Sequence, residues 1–410
     1  MQPERVPPGP EIDPASGSIT FRVDPDERWR PRRVWFHLRG FGADPEFALD
    51  GQSWVARIPR PPVARLEYLL DIVSTDGEQA LVCDPANPER VPGVFGDKSV
   101  IELPGYEPPW WLSSEVDPAD AADTPFWQVV PLDSGGAAGQ RRDLRRARWG
   151  HPSAEDGDHS ADGLAQAGER AVRDTSSDVA AVGTLLAPVR SAPDEPLPLL
   201  LVHDGPEYDR FAALSRYLAV LGTREPALRC RLLLLRPVDR DRSYSASPGY
   251  ARALTEGLLP QVRAEVAVAG PVVGMGASLG GLSLLHIAVT RPGSIDTVFS
   301  QSGSFFAADS DPMELNYRFF DRIADFVAGI DRDPGRLAGL TLSMTCGTGE
   351  ENLTNNRRLH RRLVGAGVPV TLAENADGHN YVGWRDCLDP ALADLLRRVW
   401  TGPGRSSPER

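Results

Sequence analysis

The sequence has 410 residues, of which 41% are hydrophobic and 25% are charged, as in a globular chain long enough for two domains. Its 57 acidic and 44 basic residues give a net charge of −13, which argues against nucleic acid or an anionic membrane as a general partner. No apolar run approaches the ~18 residues of a membrane span, and the N-terminus shows no secretory signal, so we predict a cytoplasmic protein.

The four cysteines are scattered and show no metal-ligand spacing. We therefore expect reduced, mostly buried thiols and predict neither a metal site nor a cofactor. Nothing in the sequence specifies an oligomeric state.

The first half of the chain shows a β pattern followed by a polar stretch. Residues 1–16 are rich in proline and charge, and we expect them to be flexible. Between residues 17 and 112, short alternating strands separated by Gly, Pro and Asp turns predict a β-sandwich. Residues 113–176 are expected to form a linker, in which 134–168 has few large apolar residues and reads as a disordered insertion.

Strands and helices alternate from residue 177 to 402, before a flexible tail at 403–410. The strands are near-continuous apolar runs, which is typical of a doubly wound, mostly parallel sheet with helices on both faces. The predicted strands cover 179–188, 198–203, 232–235, 271–275, 295–299, 340–344 and 368–373. The predicted helices cover 211–221, 250–266, 282–290, 354–366 and 390–400.

A sharp strand-to-helix turn is predicted around Ser278. An apolar run enters the pattern Gly276-Ala277-Ser278-Leu279-Gly280, and a helical pattern follows it. This is the sequence form of a nucleophile elbow, in which a strained turn exposes a serine and small neighbours prevent a collision of strand with helix. We predict Ser278 as a catalytic nucleophile.

A serine hydroxyl needs a base to take its proton and usually an acid to orient that base. His379 follows the last predicted strand in a turn, whereas His286 lies inside the helix after the elbow and His360 lies in the middle of another. His379 is therefore the predicted base. His203 precedes the elbow at a strand end, where we expect a packing role.

Two adjacent carboxylates follow the strand before His379. Glu350 is the predicted acid and Glu351 the alternative, with Asp377 and Asp386 as further candidates. Their order along the chain after Ser278, acid and then histidine, is that of an α/β-hydrolase. Either glutamate could instead serve as first-turn charge for the following helix.

An oxyanion hole needs two backbone N–H groups directed at the developing charge. Leu279, directly after the nucleophile, is the first predicted donor. The second should come from the turn after the strand at 198–203. Because Pro206 has no N–H, either Gly205 or Glu207 must supply it.

These motifs together resemble the enterochelin esterase family within the esterase D-like α/β-hydrolases. The resemblance rests on the segments 203–208, 238–248, 258–260, 276–281, 300–304, 346–350 and 377–379, with Trp384 and Arg385 just beyond. Segments 84–88 and 103–106 resemble the end of that family's N-terminal immunoglobulin-like domain. The chain departs from the family pattern at Pro206 and at Asn380, where an acidic residue is common.

The resemblance implies a serine esterase that hydrolyses the ester bonds of a ferric tri-catecholate trilactone siderophore and so releases iron. Such a substrate is strongly anionic, and the resemblance makes Arg242 the first candidate to bind it, followed by Arg240 and Arg385. A surface salt bridge is the alternative for each arginine. Two other functions stay open: a carboxylesterase or acyltransferase acting on another acyl ester, and a non-catalytic protein that binds a siderophore or glycan.

Overall fold

The computed structural model describes residues 9–25, 30–37, 46–116, 126–132, 170–174, 179–309 and 311–402. The predicted insertion at 134–168, the predicted tail at 403–410 and the first eight residues lie outside these ranges. The chain forms two compact units. The first comprises Met1–Pro108, Gly347–Leu353 and Glu374–Gly383, and the second comprises Pro109–Cys346, Thr354–Ala373 and Trp384–Arg410.

Two antiparallel sheets form the N-terminal part of the first unit. The strands are β1 (Glu11–Ile12), β2 (Ile19–Val23), β3 (Pro31–His37), β4 (Ala48–Asp50), β5 (Ser53–Ile58), β6 (Arg65–Ser74), β7 (Gln79–Val82), β8 (Arg90–Val91) and β9 (Lys98–Glu102). One sheet has the order β1-β2-β5-β4, and the other has the order β3-β6-β9-β8 with β7 beside β6. Residues 1–16 are expected from the sequence to be flexible. Pairing with β2 nevertheless orders Glu11 and Ile12 as strand β1.

The inward side chains of the two sheets form one apolar core, as the alternation in the sequence predicts. Phe21 of β2 packs edge-on against Phe36 of β3 and Tyr68 of β6, with ring centroids 4.5 and 5.1 Å apart. All three rings are buried. Edge-to-face aromatic contacts across the two sheets make this part of the unit a β-sandwich.

A nine-stranded mixed sheet and flanking helices form the α/β part. Its strands are β10 (Trp127–Val130), β11 (Arg170–Asp174), β12 (Val179–Pro188), β13 (Leu199–His203), β14 (Arg231–Pro237), β15 (Val273–Ala277), β16 (Thr297–Gln301), β17 (Thr341–Gly347) and β18 (Val370–Asn375). The helices are α1 (Gly205–Ala212), α2 (Leu214–Arg224), α3 (Arg240–Tyr244), α4 (Pro248–Arg252), α5 (Leu259–Glu265), α6 (Leu279–Thr290), α7 (Phe320–Arg332), α8 (Leu353–Gly365), α9 (Tyr381–Asp386) and α10 (Ala393–Leu396).

The centre of the mixed sheet is parallel and its β10 side is antiparallel. The order is β10-β12-β14-β13-β15-β16-β17-β18, with β11 also beside β12. Strands β14, β13, β15, β16 and β17 pair in parallel, whereas β12 pairs antiparallel with β14, β10 and β11. The central strands are buried along their length, which explains why their sequences are continuous apolar runs.

Three predicted elements differ from the observed ones. Strands β10 and β11 lie in the segment 113–176, for which the sequence predicts a linker. These strands form by tertiary pairing with β12, and a local sequence pattern does not reveal such pairing. The helix expected at 211–221 breaks at Ala213, whose φ is 48°. The helix expected at 250–266 contains a π-helical turn at Ala253–Leu258, just before Pro260, which has no N–H to continue the helical ladder.

The predicted fold class is confirmed: an N-terminal antiparallel β-sandwich precedes an α/β domain with a largely parallel sheet. The exact domain boundaries of the sequence analysis stay predictions. Of the helices in the described part of the chain, none combines the length and the apolar character that crossing a membrane requires.

The turn from β15 into α6 brings the backbones of strand and helix into close contact. A Cβ on Gly276 would lie 2.8 Å from the carbonyl carbon of Gly280. We expect Gly276→Ala to lower the free energy of unfolding by about 1–3 kcal/mol, because backbone cannot move aside as a side chain can. Thermal and urea unfolding measure this change.

Gly365→Ala is the matched control, since a Cβ at the end of α8 meets nothing within 4 Å. This variant should unfold close to the wild type. Equal stability of the two variants would contradict the proposed crowding at Gly276.

Candidate active site

Ser278 occupies a strained turn between β15 and α6. Its φ of 55° and ψ of −124° lie outside the regions that residues with a Cβ prefer. Its backbone N–H donates to the Gln301 carbonyl at 2.9 Å, and its own carbonyl accepts from the Ser304 N–H at 3.2 Å. These bonds hold the turn, and the serine Oγ lies 3.1 Å from the Oγ of Ser304.

The two strands beside β15 end in the same way. Asp204 follows β13 with a φ of 50°, and Ser302 follows β16 with a φ of 50°. Three neighbouring parallel strands thus turn at a non-glycine residue with positive φ. Ligands of open α/β sheets bind outside the carboxyl ends of the strands, and such strain gathers at functional positions. This edge of the sheet is the candidate site.

His379 and Glu350 form a hydrogen-bonded pair within the first unit. Nδ1 of His379 donates to Oε2 of Glu350 at 2.6 Å. The Glu350 side chain is fully buried, and its other oxygen accepts the backbone N–H of Gly347. A buried carboxylate on Nδ1 fixes the ring orientation and leaves Nε2 for proton exchange.

The alternative acids make other contacts. Oε2 of Glu351 is buried and has no hydrogen-bond partner among the residues that the structure describes. Asp377 pairs with Arg65, and Asp386 with Arg385. Of the predicted acids, the structure thus brings Glu350 to His379.

The first positions of two helices carry the predicted oxyanion donors. Gly205 begins α1 and Leu279 begins α6, each directly after a residue with positive φ. Backbone N–H groups in the first turn of a helix have no partner within the helix. Burial raises the pKa of the Glu207 carboxyl and the Asp204 charge adds to this, while the N–H of Glu207 itself opposes the rise. Gly205 and Glu207 both lie in the first turn of α1, so both stay candidates for the second donor.

His203 hydrogen-bonds the backbone just after the elbow, in the first turn of α6. It is completely buried, its Nδ1 donates to the Gly280 carbonyl at 3.0 Å, and its Nε2 accepts from the Tyr250 hydroxyl at 3.2 Å. Its ring stacks on Tyr244 with centroids 4.3 Å apart. Burial lowers its pKa to about 4, so the imidazole is neutral near pH 7 and both nitrogens are engaged.

The three candidate substrate arginines lie in different settings. Arg240 binds the carboxylate of Asp204 through Nε at 3.0 Å and Nη2 at 2.8 Å. Arg385 pairs with the neighbouring Asp386 at 2.8 Å. Arg242 is exposed on α3. Arg240 and Arg385 thus form the salt bridges that the sequence analysis gives as the alternative.

Sequence reasoning missed two residues near the candidate machinery. The hydroxyl of Ser304 contacts the hydroxyl of Ser278. Ser304 belongs to the motif at 300–304, but the motif gave it no role. Arg65 is buried and pairs with Asp377, two residues before His379. The available signal was a pair of opposite charges two residues apart, Arg65 and Glu67, within the alternating pattern of the predicted β-sandwich.

None of the four cysteines, which all lie in the described part of the chain, forms a disulfide. Cys230 and Cys346 are buried, whereas Cys83 and Cys387 are half-buried. Burial raises the pKa of the Cys230 thiol to about 12, so this thiol is protonated and unreactive near pH 7. In the part of the chain that the structure describes, no group of three His, Cys, Asp or Glu side chains is placed to hold a metal ion.

A family model described as "Putative esterase" matches residues 182–395, which is more than half of the chain. The chain belongs to this esterase family. A sequence comparison with curated proteins gave no match. The matched region contains the elbow, the Glu350–His379 pair and both predicted oxyanion loops.

Solved enterobactin esterases have a similar structure over nearly the whole chain. One from Shigella flexneri, solved in the presence of enterobactin, has a TM-score of 0.62 at 17% identity and covers 96% of each chain. A ferric enterobactin esterase from Salmonella typhimurium has a TM-score of 0.62 at 19% identity and covers 97% of each chain. At these identities the likeness establishes the fold. Together with the family match, it confirms that the chain is an esterase-family member that resembles enterochelin esterases in fold.

The pairing of Glu350 with His379 makes the two adjacent glutamates distinguishable. We expect Glu350→Gln to lower the turnover number for an ester about 10²–10⁴-fold, because an amide no longer stabilises the imidazolium formed in the reaction. Steady-state hydrolysis of a chromogenic short-chain ester measures the effect.

Glu351→Gln is the control at the next position and should stay near wild-type turnover. The assignment of Glu350 fails if the two variants lose activity equally, or if Glu351→Gln loses more.

Proposed function

We propose that this chain is a serine esterase that hydrolyses the ester bonds of a ferric tri-catecholate trilactone siderophore and thereby releases iron in the cytoplasm. The observation that carries the proposal is the elbow: Ser278 is held at positive φ at the carboxyl end of a central parallel strand. Membership of the esterase family supports ester hydrolysis. The fold shared with proteins described as enterobactin esterases supports the substrate class.

In the proposed mechanism, the Oγ of Ser278 attacks the ester carbonyl carbon while Nε2 of His379 takes its proton. Glu350 accepts the hydrogen bond from Nδ1 and stabilises the imidazolium. The tetrahedral oxyanion receives hydrogen bonds from the N–H group of Leu279 and from that of Gly205 or Glu207. The C–O bond then breaks, and His379 gives its proton to the leaving alcohol.

Water completes the reaction. His379 takes a proton from the water, which attacks the acyl carbon on Ser278 and forms a second tetrahedral intermediate. Collapse of this intermediate releases the carboxylic acid and returns the proton to Ser278. In a trilactone each cycle opens one ester bond, and the iron ion is cargo of the substrate.

The decisive experiment is to incubate the protein with a ferric catecholate trilactone and analyse the products by mass. With wild-type protein, the first hydrolysis should give a linear product about 18 Da heavier than the trilactone. Each further hydrolysis should split that product into smaller fragments whose summed mass rises by about another 18 Da. Ser278→Ala should give none while keeping the wild-type circular dichroism spectrum, because the nucleophile is lost and the fold is not. Short acyl esters are assayed in parallel.

Each result decides between the candidate functions. Normal turnover by Ser278→Ala would disprove the mechanism. Hydrolysis of short acyl esters alone would move the protein to another substrate class in the same family. If the wild-type protein neither hydrolyses esters nor is labelled at Ser278 by a fluorophosphonate probe, it is a binding protein.

The exposed Arg242 is the residue we propose to recognise the anionic substrate. Arg242→Met should raise the KM for the ferric trilactone about fivefold, the loss expected for one charge contact of about 1 kcal/mol. The KM for a neutral short-chain ester should not change. Steady-state kinetics with both substrates measures this difference.

Arg263→Met, which removes another exposed arginine, on α5, controls for the loss of one positive charge from the whole protein. An equal rise in KM in both variants would show a general electrostatic effect and would contradict a site at Arg242.

A further inference from the structure

A buried arginine lies at the start of strand β6 in the β-sandwich. The side chain of Arg65 is only 3% exposed, and its guanidinium lies 3.4 Å from Oε1 of Glu67 and 3.4 Å from Oδ2 of Asp377. It also lies over the ring of Tyr106. Lys98, the only lysine of the sequence, pairs with the other oxygen of Glu67 at 3.4 Å. The cluster therefore contains two positive and two negative side chains and is balanced in charge.

Asp377 connects this cluster to the turn that carries His379. One carboxylate oxygen faces Arg65, while the other accepts the backbone N–H of Gly378 at 2.7 Å and the side-chain amide of Asn380 at 2.8 Å. These two hydrogen bonds hold Gly378 and Asn380, the residues on either side of His379. The position of the Asp377 carboxylate therefore constrains the direction of the histidine.

Hydrogen bonds join the residues at the start of β6 to both loops of the first unit. The N–H of Ala64 donates to the Ala376 carbonyl at 2.6 Å, and the hydroxyl of Thr348 donates to the Pro62 carbonyl. The loops are also joined to each other, since the N–H of Gly349 donates to the Asp377 carbonyl at 3.0 Å. The strand end thus contacts the loop of the predicted base and the loop of the predicted acid.

We propose that Arg65 is a positioning residue for the reaction: it holds the carboxylate of Asp377, and through it the turn that directs His379. This inference rests on the proposed function, in which His379 is the base. It gives the N-terminal β-sandwich a part in catalysis, because Arg65 belongs to that sandwich and lies more than 300 positions before the histidine in the sequence.

Removing Arg65 should affect Asp377 first. Burial already raises the pKa of Asp377 to about 6, and the charge of Arg65 opposes that rise. Without the guanidinium, the buried carboxylate loses its positive partner and must protonate or move toward water. Either change alters its bonds to Gly378 and Asn380. Small displacements of a catalytic group cost up to about 10²-fold in rate.

The test compares variants by their kinetics on a short-chain ester and by the rate of Ser278 labelling with a fluorophosphonate. Arg65→Met should lower kcat about 10- to 100-fold and leave KM within about twofold, because the histidine and not the binding surface is displaced. Arg65→Lys keeps the charge without the two-pronged guanidinium and should give an intermediate kcat.

The double variant Arg65→Met with Asp377→Asn is the rescue. A neutral asparagine needs no cation and can still accept hydrogen bonds from Gly378 and Asn380, so kcat should return to within a few-fold of wild type. Ile72→Val is the matched control for stability, since Ile72 is a fully buried core residue on the same strand. It should lower the Tm without changing kcat.

The inference is supported if Arg65→Met loses kcat and the double variant regains it while Ile72→Val keeps wild-type kcat. It is overturned if Arg65→Met keeps wild-type kcat, or if Ile72→Val loses as much kcat as Arg65→Met. If Arg65→Met does not fold, Arg65→Lys decides: a wild-type kcat in that variant overturns the inference. An inactive wild-type protein would instead show that the proposed function has failed.

Discussion

The close approach of strand β15 to helix α6 is the constraint on which the α/β domain depends. The turn between them leaves no room for a side chain at Gly276 and holds Ser278 at a φ of 55°. Such strain persists only where neighbouring groups over-determine the backbone. The bonds from the Ser278 N–H to Gln301 and from the Ser304 N–H to Ser278 do this, and β16 and the segment after it thereby help to hold the elbow.

The strands on either side of β15 also end at a residue with positive φ. Asp204 after β13 and Ser302 after β16 also have positive φ, and Arg240 fixes the Asp204 carboxylate with a two-pronged contact. His203 contributes a neutral ring whose two nitrogens are both hydrogen-bonded, one of them to the Gly280 carbonyl just after the elbow. Buried polar networks of this kind are costly unless every member is satisfied. Their concentration at one edge is what we expect of a site that must stay rigid during turnover.

The first compact unit holds its candidate base, His379, in a different way. His379 donates to Glu350, and the carboxylate of Asp377 in the same turn pairs with Arg65 of the β-sandwich. These residues are far apart in sequence, and no local pattern connects them. The sandwich strand and the two loops are held together by backbone bonds as well as by charge.

The sequence by itself determined the features that depend on neighbouring residues: the elbow at Ser278, the buried parallel strands and the alternating strands of the sandwich. It also gave the order of serine, acid and histidine. Only the tertiary structure shows that Glu350, and not the adjacent Glu351, hydrogen-bonds His379. Two neighbouring glutamates are alike in the sequence and differ only in the direction of their side chains. The tertiary structure alone added β10 and β11 to the sheet, and it alone showed that Arg65 reaches Asp377. The physical reason is the same in each case: a partner distant in the sequence supplies the hydrogen bond or the opposite charge, and only folding brings that partner into contact.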